Sequence, residues 1–188
     1  MSLKYILLGF LNIKNMTGYE LKHFFDDSVN NFWNANLSQI YPTLNEMKEK
    51  GYLEMDIQIN DNSPNSKIYR ITEKGQMVLT EWMEQSTPLP QIKKLFLAKL
   101  LIGAKFKKSF IVRQLEEQLA LHESMLEALK EKLKNPPKNI TDNTDNKEAR
   151  KHEFFRQLII DAGIKEEIAS IEWCKETIDK INQMNYAD

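Results

Sequence analysis

The apolar residues of this chain change their spacing twice, and that change restricts the fold more tightly than composition does. Up to Gly51 they recur every three or four residues, as on helices. From Leu53 to Ile59 they alternate: Leu53, Met55, Ile57 and Ile59 against Glu54, Asp56, Gln58 and Asn60, the pattern of a half-buried strand. Helical spacing then returns with Val78, Leu79 and Trp82 and persists to the last residues. Three helices, a hairpin and a further helix are therefore expected over residues 1–85, and long helices over 86–188.

Local signals place the ends of these elements. Leu3, Leu7, Phe10 and Leu11 share one helical face, and Asn12 to Asn15 reads as a turn. Thr17-Gly18-Tyr19-Glu20 has capping-box spacing, so a second helix opens at Thr17 and ends near Ser28, with Leu21, Phe24 and Phe25 on its apolar side. A third runs from about Ser38 to Lys50 and stops at Gly51, a residue suited to the position after a helix. Pro42 sits early enough in that helix to forfeit only one backbone bond. Asp61 to Ser66 is dense in turn formers, Lys67 to Ile71 is the returning strand, and Thr72 can cap the next helix. Beyond Pro88 and Pro90, helices are expected over Ile92 to Ala104, Phe106 to Lys134 and roughly Glu148 to Asn182, the last two separated by a polar linker at about 135–147. Asn139-Ile140-Thr141 in that linker matches a glycosylation acceptor and is read as idle.

Chemistry is sparse. His23, His122 and His152 fit no metal-ligand spacing, and the chain has neither a Gly-rich phosphate loop nor a G-x-S-x-G elbow. The single cysteine, Cys174, excludes a disulfide framework and lies on an apolar helical stripe, where a buried inert thiol is expected. No catalytic residue, cofactor or metal is expected, and the chain does not read as an enzyme. Its longest early apolar run, Tyr5 to Ile13, is too short to span a bilayer and precedes no small-residue cleavage site. A cytoplasmic protein with no membrane partner is the expectation.

The order of elements carries the functional signal. Three helices followed by a β-hairpin form the winged helix-turn-helix, whose third helix enters the major groove while the hairpin follows the backbone or minor groove. Here Ser38, Gln39, Pro42 and Asn45 form an uncharged polar flank opposite Leu37, Ile40, Leu44 and Met47. Ser, Gln and Asn side chains can meet base edges or phosphates, and the Tyr41 hydroxyl can donate to a phosphate. Lys14, Lys22 and Lys67 could neutralise flanking phosphates. Asn36, Tyr19 and Tyr69 complete the expected DNA-facing set.

The second half supplies a seam. Leu115, Leu119, His122, Leu126 and Leu129 alternate by three and four, with His122 as a paired or partly solvated packing histidine. This stripe must bury itself against Ile168 to Ile181, Ile171 and Ile178 included, of its own chain or of a partner's, so a homodimer is expected. Bulk charge argues the other way. The chain has a formal net charge of −1, and residues 1–85 hold eight Lys/Arg against eleven Asp/Glu, whereas a basic footprint marks most DNA-binding domains. Two rival readings stay open: a winged-helix module that binds protein, and a small-molecule sensor using Trp33, Phe96, Phe154 or Trp173.

At the level of strings, Tyr5-Ile6-Leu7-Leu8-Gly9-Phe10-Leu11, Thr17-Gly18-Tyr19-Glu20-Leu21-Lys22, Phe32-Trp33, Ser38-Gln39-Ile40-Tyr41-Pro42-Thr43-Leu44, Gly51-Tyr52-Leu53 and Tyr69-Arg70-Ile71-Thr72-Glu73-Lys74-Gly75 resemble the PadR-like transcriptional regulators. The likeness covers about residues 3–85. The C-terminal helices, with Ala162-Gly163-Ile164 and Glu172-Trp173, resemble the family's virulence-activator-like dimerisation domain. The resemblance implies a mostly α protein with a winged helix-turn-helix domain over 1–85 and a long-helix dimerisation domain over 86–188. It implies a homodimeric repressor on an inverted-repeat operator in double-stranded DNA, released by a small-molecule effector. It carries recognition-helix contacts to Ser38, Gln39, Tyr41, Pro42 and Thr43, and wing contacts to Lys67 and its neighbours.

Overall fold

The computed structural model describes residues 3–28, 33–59, 65–89, 94–136 and 147–184. The turn formers Asp61 to Pro64 and the Asn139-Ile140-Thr141 acceptor lie outside these residues, as do Phe32 and most of the linker. The chain divides into two compact units, residues 1–89 and 90–188.

The first unit contains α1 (Leu3–Ile13), β1 (Met16–Thr17), α2 (Gly18–Ser28), α3 (Leu37–Glu49), β2 (Leu53–Gln58), β3 (Ser66–Ile71) and α4 (Glu73–Glu84). The capping box forms as its spacing requires: the Thr17 backbone N–H donates to Glu20 Oε2 (2.7 Å) and the Glu20 N–H to Thr17 Oγ1 (3.1 Å). Thr17 also ends β1, which pairs with β3 and so places a third strand beside the hairpin in the order β1-β3-β2. A two-residue strand has no period, so it leaves no trace in the sequence pattern. Gly51, at φ +72°, turns the chain out of α3 and into β2. Thr72 caps α4 by accepting the Gly75 N–H at 3.1 Å.

Leu7, Leu8, Leu11, Met16, Leu21, Phe25, Ile40, Leu44, Met47 and Leu53 close one core, with the Phe10 ring edge-on to Phe24 and Phe25. The hairpin departs from the expected half-buried strand. Leu53 is buried, but Ile57 and Ile59 are 60% and 79% exposed. Leu53, Met55 and Ile57 face the same way as Ile71, Tyr69 and Lys67 across the register, and only the end nearest α4 has helices beneath it. The wing overhangs its support, and its apolar alternation outlasts its burial.

The second unit contains α5 (Leu95–Ile102), a 3₁₀ turn (Gly103–Lys105), α6 (Lys108–Lys134) and α7 (Lys147–Gln183). The helix expected over Ile92 to Ala104 is shorter and tightens into the 3₁₀ turn before Phe106. α6 and α7 run antiparallel. Lys108 Nζ reaches the Asn182 carbonyl, His122 meets Glu167, Lys175 meets Glu123, and Arg156 reaches the Lys132 carbonyl.

Candidate nucleic-acid interface

The exposed flank of α3 is built by its N-terminal cap. The helix opens at Leu37, one residue before the expected start, because Asn36 is the cap. Asn36 Oδ1 accepts from the Gln39 N–H (3.2 Å) and the Ser38 hydroxyl, while the Asn36 N–H donates to Gln39 Oε1 (3.1 Å). This reciprocal arrangement satisfies two donors that a helix end would otherwise leave orphaned. It also fixes which chemistry remains: Gln39 has spent its carbonyl oxygen and keeps its amide NH₂ to donate. Asn36 has spent its acceptor on the cap. Thr43, half-buried, turns its hydroxyl back onto the Gln39 carbonyl at 2.7 Å, which leaves little of it for a ligand.

Ser38, Gln39, Tyr41, Pro42 and Asn45 are exposed, opposite the buried Ile40, Leu44 and Met47. The Tyr41 ring lies across the start of α2. A Cβ on Gly18 would come within 2.5 Å of the Tyr41 ring, so only glycine admits the ring there. Tyr19 stands next to it, 62% exposed and edge-on to His23 at 4.6 Å. The expected contacts at Tyr19, Ser38, Gln39, Tyr41 and Pro42 are thus all open to solvent, and Gly18 links the α2 and α3 members of the set.

One expected DNA contact is corrected by the structure. Tyr69 is 2% exposed and belongs to the core. Burial, with a smaller contribution from Tyr41, raises its phenol above the ordinary value. Its position in the register faces Met55 and Met16, on the side that the helices cover. Lys22 is half-buried and ion-paired to Asp26 one turn along α2, so its charge is already answered. Lys14 and Lys67 are exposed and make no ion pair among the described residues. On the wing's other face Arg70 is held by Asp56 and by Glu54. The wing therefore presents Lys67 as its open cation, beside the exposed Ile57.

The expected dimerisation residues also separate. Leu115, Leu129 and Ile171 are buried within the single chain, where α6 meets α7. Leu119, Leu126 and Ile178 are half-buried. His122 is paired, its Nδ1 2.6 Å from Glu167 Oε2 across the two helices. Cys174 is buried in the same seam, and burial raises its thiol pKa. Of the aromatics considered for ligand capture, Trp33 packs on the first unit's core. Phe96 and Trp173 meet edge to face within the second unit at 6.2 Å, and Phe154 meets its neighbour Phe155. No group of three metal-ligating side chains occurs among the described residues, and none of their helices is long and apolar enough to cross a membrane.

Comparison with known proteins finds a family similar to each half. Residues 7–81 match the transcriptional regulator PadR-like family, and residues 92–182 match the virulence activator alpha C-terminal family. The negative transcriptional regulator PadR of Bacillus subtilis is 32% identical over 89 residues, 47% of this chain and 49% of that protein. The chain spans about half the length of the curated relatives it matches. Among solved structures, Bacillus subtilis PadR in complex with operator DNA superposes with a TM-score of 0.82 at 22% identity, covering 96% of this chain and 99% of that one. The Vibrio cholerae virulence activator AphA superposes with a TM-score of 0.76 at 24% identity, covering 96% and 98%. These likenesses establish a winged-helix fold followed by the long-helix domain.

Proposed function

Because residues 7–81 match the PadR-like family of transcriptional regulators and residues 92–182 match the virulence activator alpha C-terminal family, we propose that this chain is a homodimeric repressor that binds an inverted-repeat operator in the cytoplasm and is released by a small molecule. One observation carries the DNA-binding part: the exposed, uncharged flank of α3, held rigid by the Asn36–Gln39 box. In the major groove the Gln39 amide would donate to an acceptor on a base edge, and Ser38 and Asn45 would meet base edges or phosphates. The Tyr41 hydroxyl would donate to a phosphate, and Lys14 and Lys67 would neutralise phosphates on either side. Two such helices in a dimer would read half-sites about 34 Å apart.

Replacing Gln39 and Tyr41 together with Ala tests this. Operator retention in a gel-shift assay is expected to disappear while sedimentation still gives a dimer. Retention at the wild-type level would overturn the assignment of the α3 flank. A salt titration separates the rival protein-binding module, which the acidic balance of residues 1–85 favours: phosphate contacts make affinity fall steeply with salt, whereas such a module binds no duplex even at low salt.

A further inference from the structure

The two strands of the wing sort their chemistry by face. Cross-strand partners point the same way, so Leu53, Met55 and Ile57 share one face with Ile71, Tyr69 and Lys67. Glu54, Asp56 and Gln58 share the other with Arg70, Ile68 and Ser66. Both carboxylates of the described strands therefore stand on the second face, where Arg70 holds them. On the first face the one charge is Lys67, which is exposed and makes no ion pair among the described residues.

Along that first face burial falls away from the α4 end. Leu53 and Tyr69 are buried, Met55 is half-buried, and Ile57 and then Ile59, just past the strand, lie mostly in solvent. Neither isoleucine contributes much to the core, because apolar stabilisation scales with the area removed from water. Lys67 is the cross-strand partner of Ile57, so the open cation stands directly beside the open apolar side chain. Gly51 turns α3 straight into β2, and the two elements pack together, so this apolar tip and the exposed flank of α3 belong to one compact unit.

Proteins that deform DNA from the minor groove insert side chains such as Ile, Leu or Met between base steps, unstacking them and kinking the duplex. We propose that Ile57 and Ile59 are such a wedge: the wing inserts them between adjacent base pairs in the minor groove and kinks the duplex there, while Lys67 lies on the flanking phosphate. Residues 1–85 hold eight Lys/Arg against eleven Asp/Glu, so this unit has little cationic surface to grip with, and apolar contact is a source of affinity that needs none. The consequence is a sequence preference outside the bases that α3 reads. Pyrimidine–purine steps unstack most readily, so the wing selects them without a hydrogen bond to any base. This rests on the DNA-binding reading proposed above and gives a role to wing residues outside it.

The test uses the full-length protein and the duplex that the wild type retains from a random pool. That duplex is labelled at both ends for energy transfer and carries, at each adenine outside the half-sites in turn, a fluorescent analogue that brightens when unstacked. The wild type is expected to bring the ends together and to brighten one step beside each half-site. Ile57→Thr with Ile59→Thr keeps β-branched side chains at positions already exposed, so the strand is retained while both signals are lost. Ile57→Leu with Ile59→Leu is expected to keep both signals. Replacing the brightened step by a stiff A-tract should weaken the wild type roughly tenfold and the Thr pair less than about twofold. Base changes within the half-sites should cost both proteins alike, which separates the wedge from the α3 flank. A wild-type complex with straight, fully stacked DNA would overturn the wedge, as would a Thr pair that kinks the duplex as the wild type does. So would a Thr pair that binds DNA unchanged but no longer self-associates, which would assign the isoleucines to a contact between copies. A wild type that retains no duplex would instead bring down the DNA-binding reading itself.

Discussion

The two units solve the burial problem in opposite ways. The first encloses thirteen apolar side chains in one core drawn from every helix and strand except α4, which packs Val78 and Leu79 against it. The second, longer by ten residues, buries five apolar residues among those described, along the line where α6 meets α7. Leu119, Leu126 and Ile178 are half-buried beside them, and many others, Leu95, Leu101, Phe155 and Leu158 among them, are exposed. Since apolar burial is the main favourable term in folding, the described residues give the first unit the larger driving force of its own. On the proposed function, a unit that must present the same α3 flank to every operator gains from being closed, and a unit that pairs with a second copy has to keep apolar surface for it.

Leu44→Ala should break the comparison at its strongest point. Leu44 is fully buried beneath the α3 flank, and losing its side chain is expected to cost about 2–5 kcal/mol, with the cavity setting where in that range it falls. The loss, read from urea unfolding of the first unit, should be the same at every protein concentration. A cost that varied with concentration would show that the first unit also depends on a partner.

The reciprocal measurement sharpens the contrast. If the second unit is completed by another copy, its thermal midpoint should climb with protein concentration while the first unit's stays in place. Each tenfold rise in concentration is worth about 1.4 kcal/mol of apparent stability for a dimer. Two transitions that both ignore concentration would place the exposed leucines of α5 in an ordinary monomer surface.

How much of this the sequence discloses also differs between the units. In the first, the capping box at Thr17, the end of α3 at Gly51 and the cap at Thr72 were all legible, because each depends on side chains within three or four residues. The alternation over Leu53 to Ile59 correctly indicated a strand but not its burial, since what lies beneath a hairpin is a tertiary fact. Tyr69 shows the same limit. It is adjacent to the wing in sequence, but its register turns it toward the core. In the second unit the leucine stripe was legible as a seam. Whether Leu115 and Leu129 meet their own chain or another could not be read, because a heptad-like stripe looks the same in both cases. Likewise, Asn36 was visible as a polar residue before the helix, but its cap bond to Gln39 decides that Gln39 faces solvent as a donor, and that bond is geometry.

The smallest expected effect lies on the inner side of the second unit, where a polar clasp reinforces the few buried residues. Arg156, almost fully buried, donates through Nε and Nη2 to Glu153 and through Nη1 to the Lys132 carbonyl, and so ties α7 to α6. The hydrogen bond from Arg156 lowers the Glu153 carboxyl below its ordinary range, against an opposing effect of burial. The folded protein therefore binds fewer protons at Glu153 than the unfolded chain does, so the clasp's contribution is complete above the unfolded value of about 4.3 and fades as pH falls through the lowered folded value. Glu153→Gln keeps a side-chain oxygen to accept from Arg156, so near neutral pH it should cost about 1 kcal/mol, the worth of one hydrogen bond. Below about pH 4 the wild type should converge on the variant in urea midpoints measured across a pH series. A gap that widened in acid would mean that Glu153 is held protonated in the fold, and the α6–α7 seam would then need some other support.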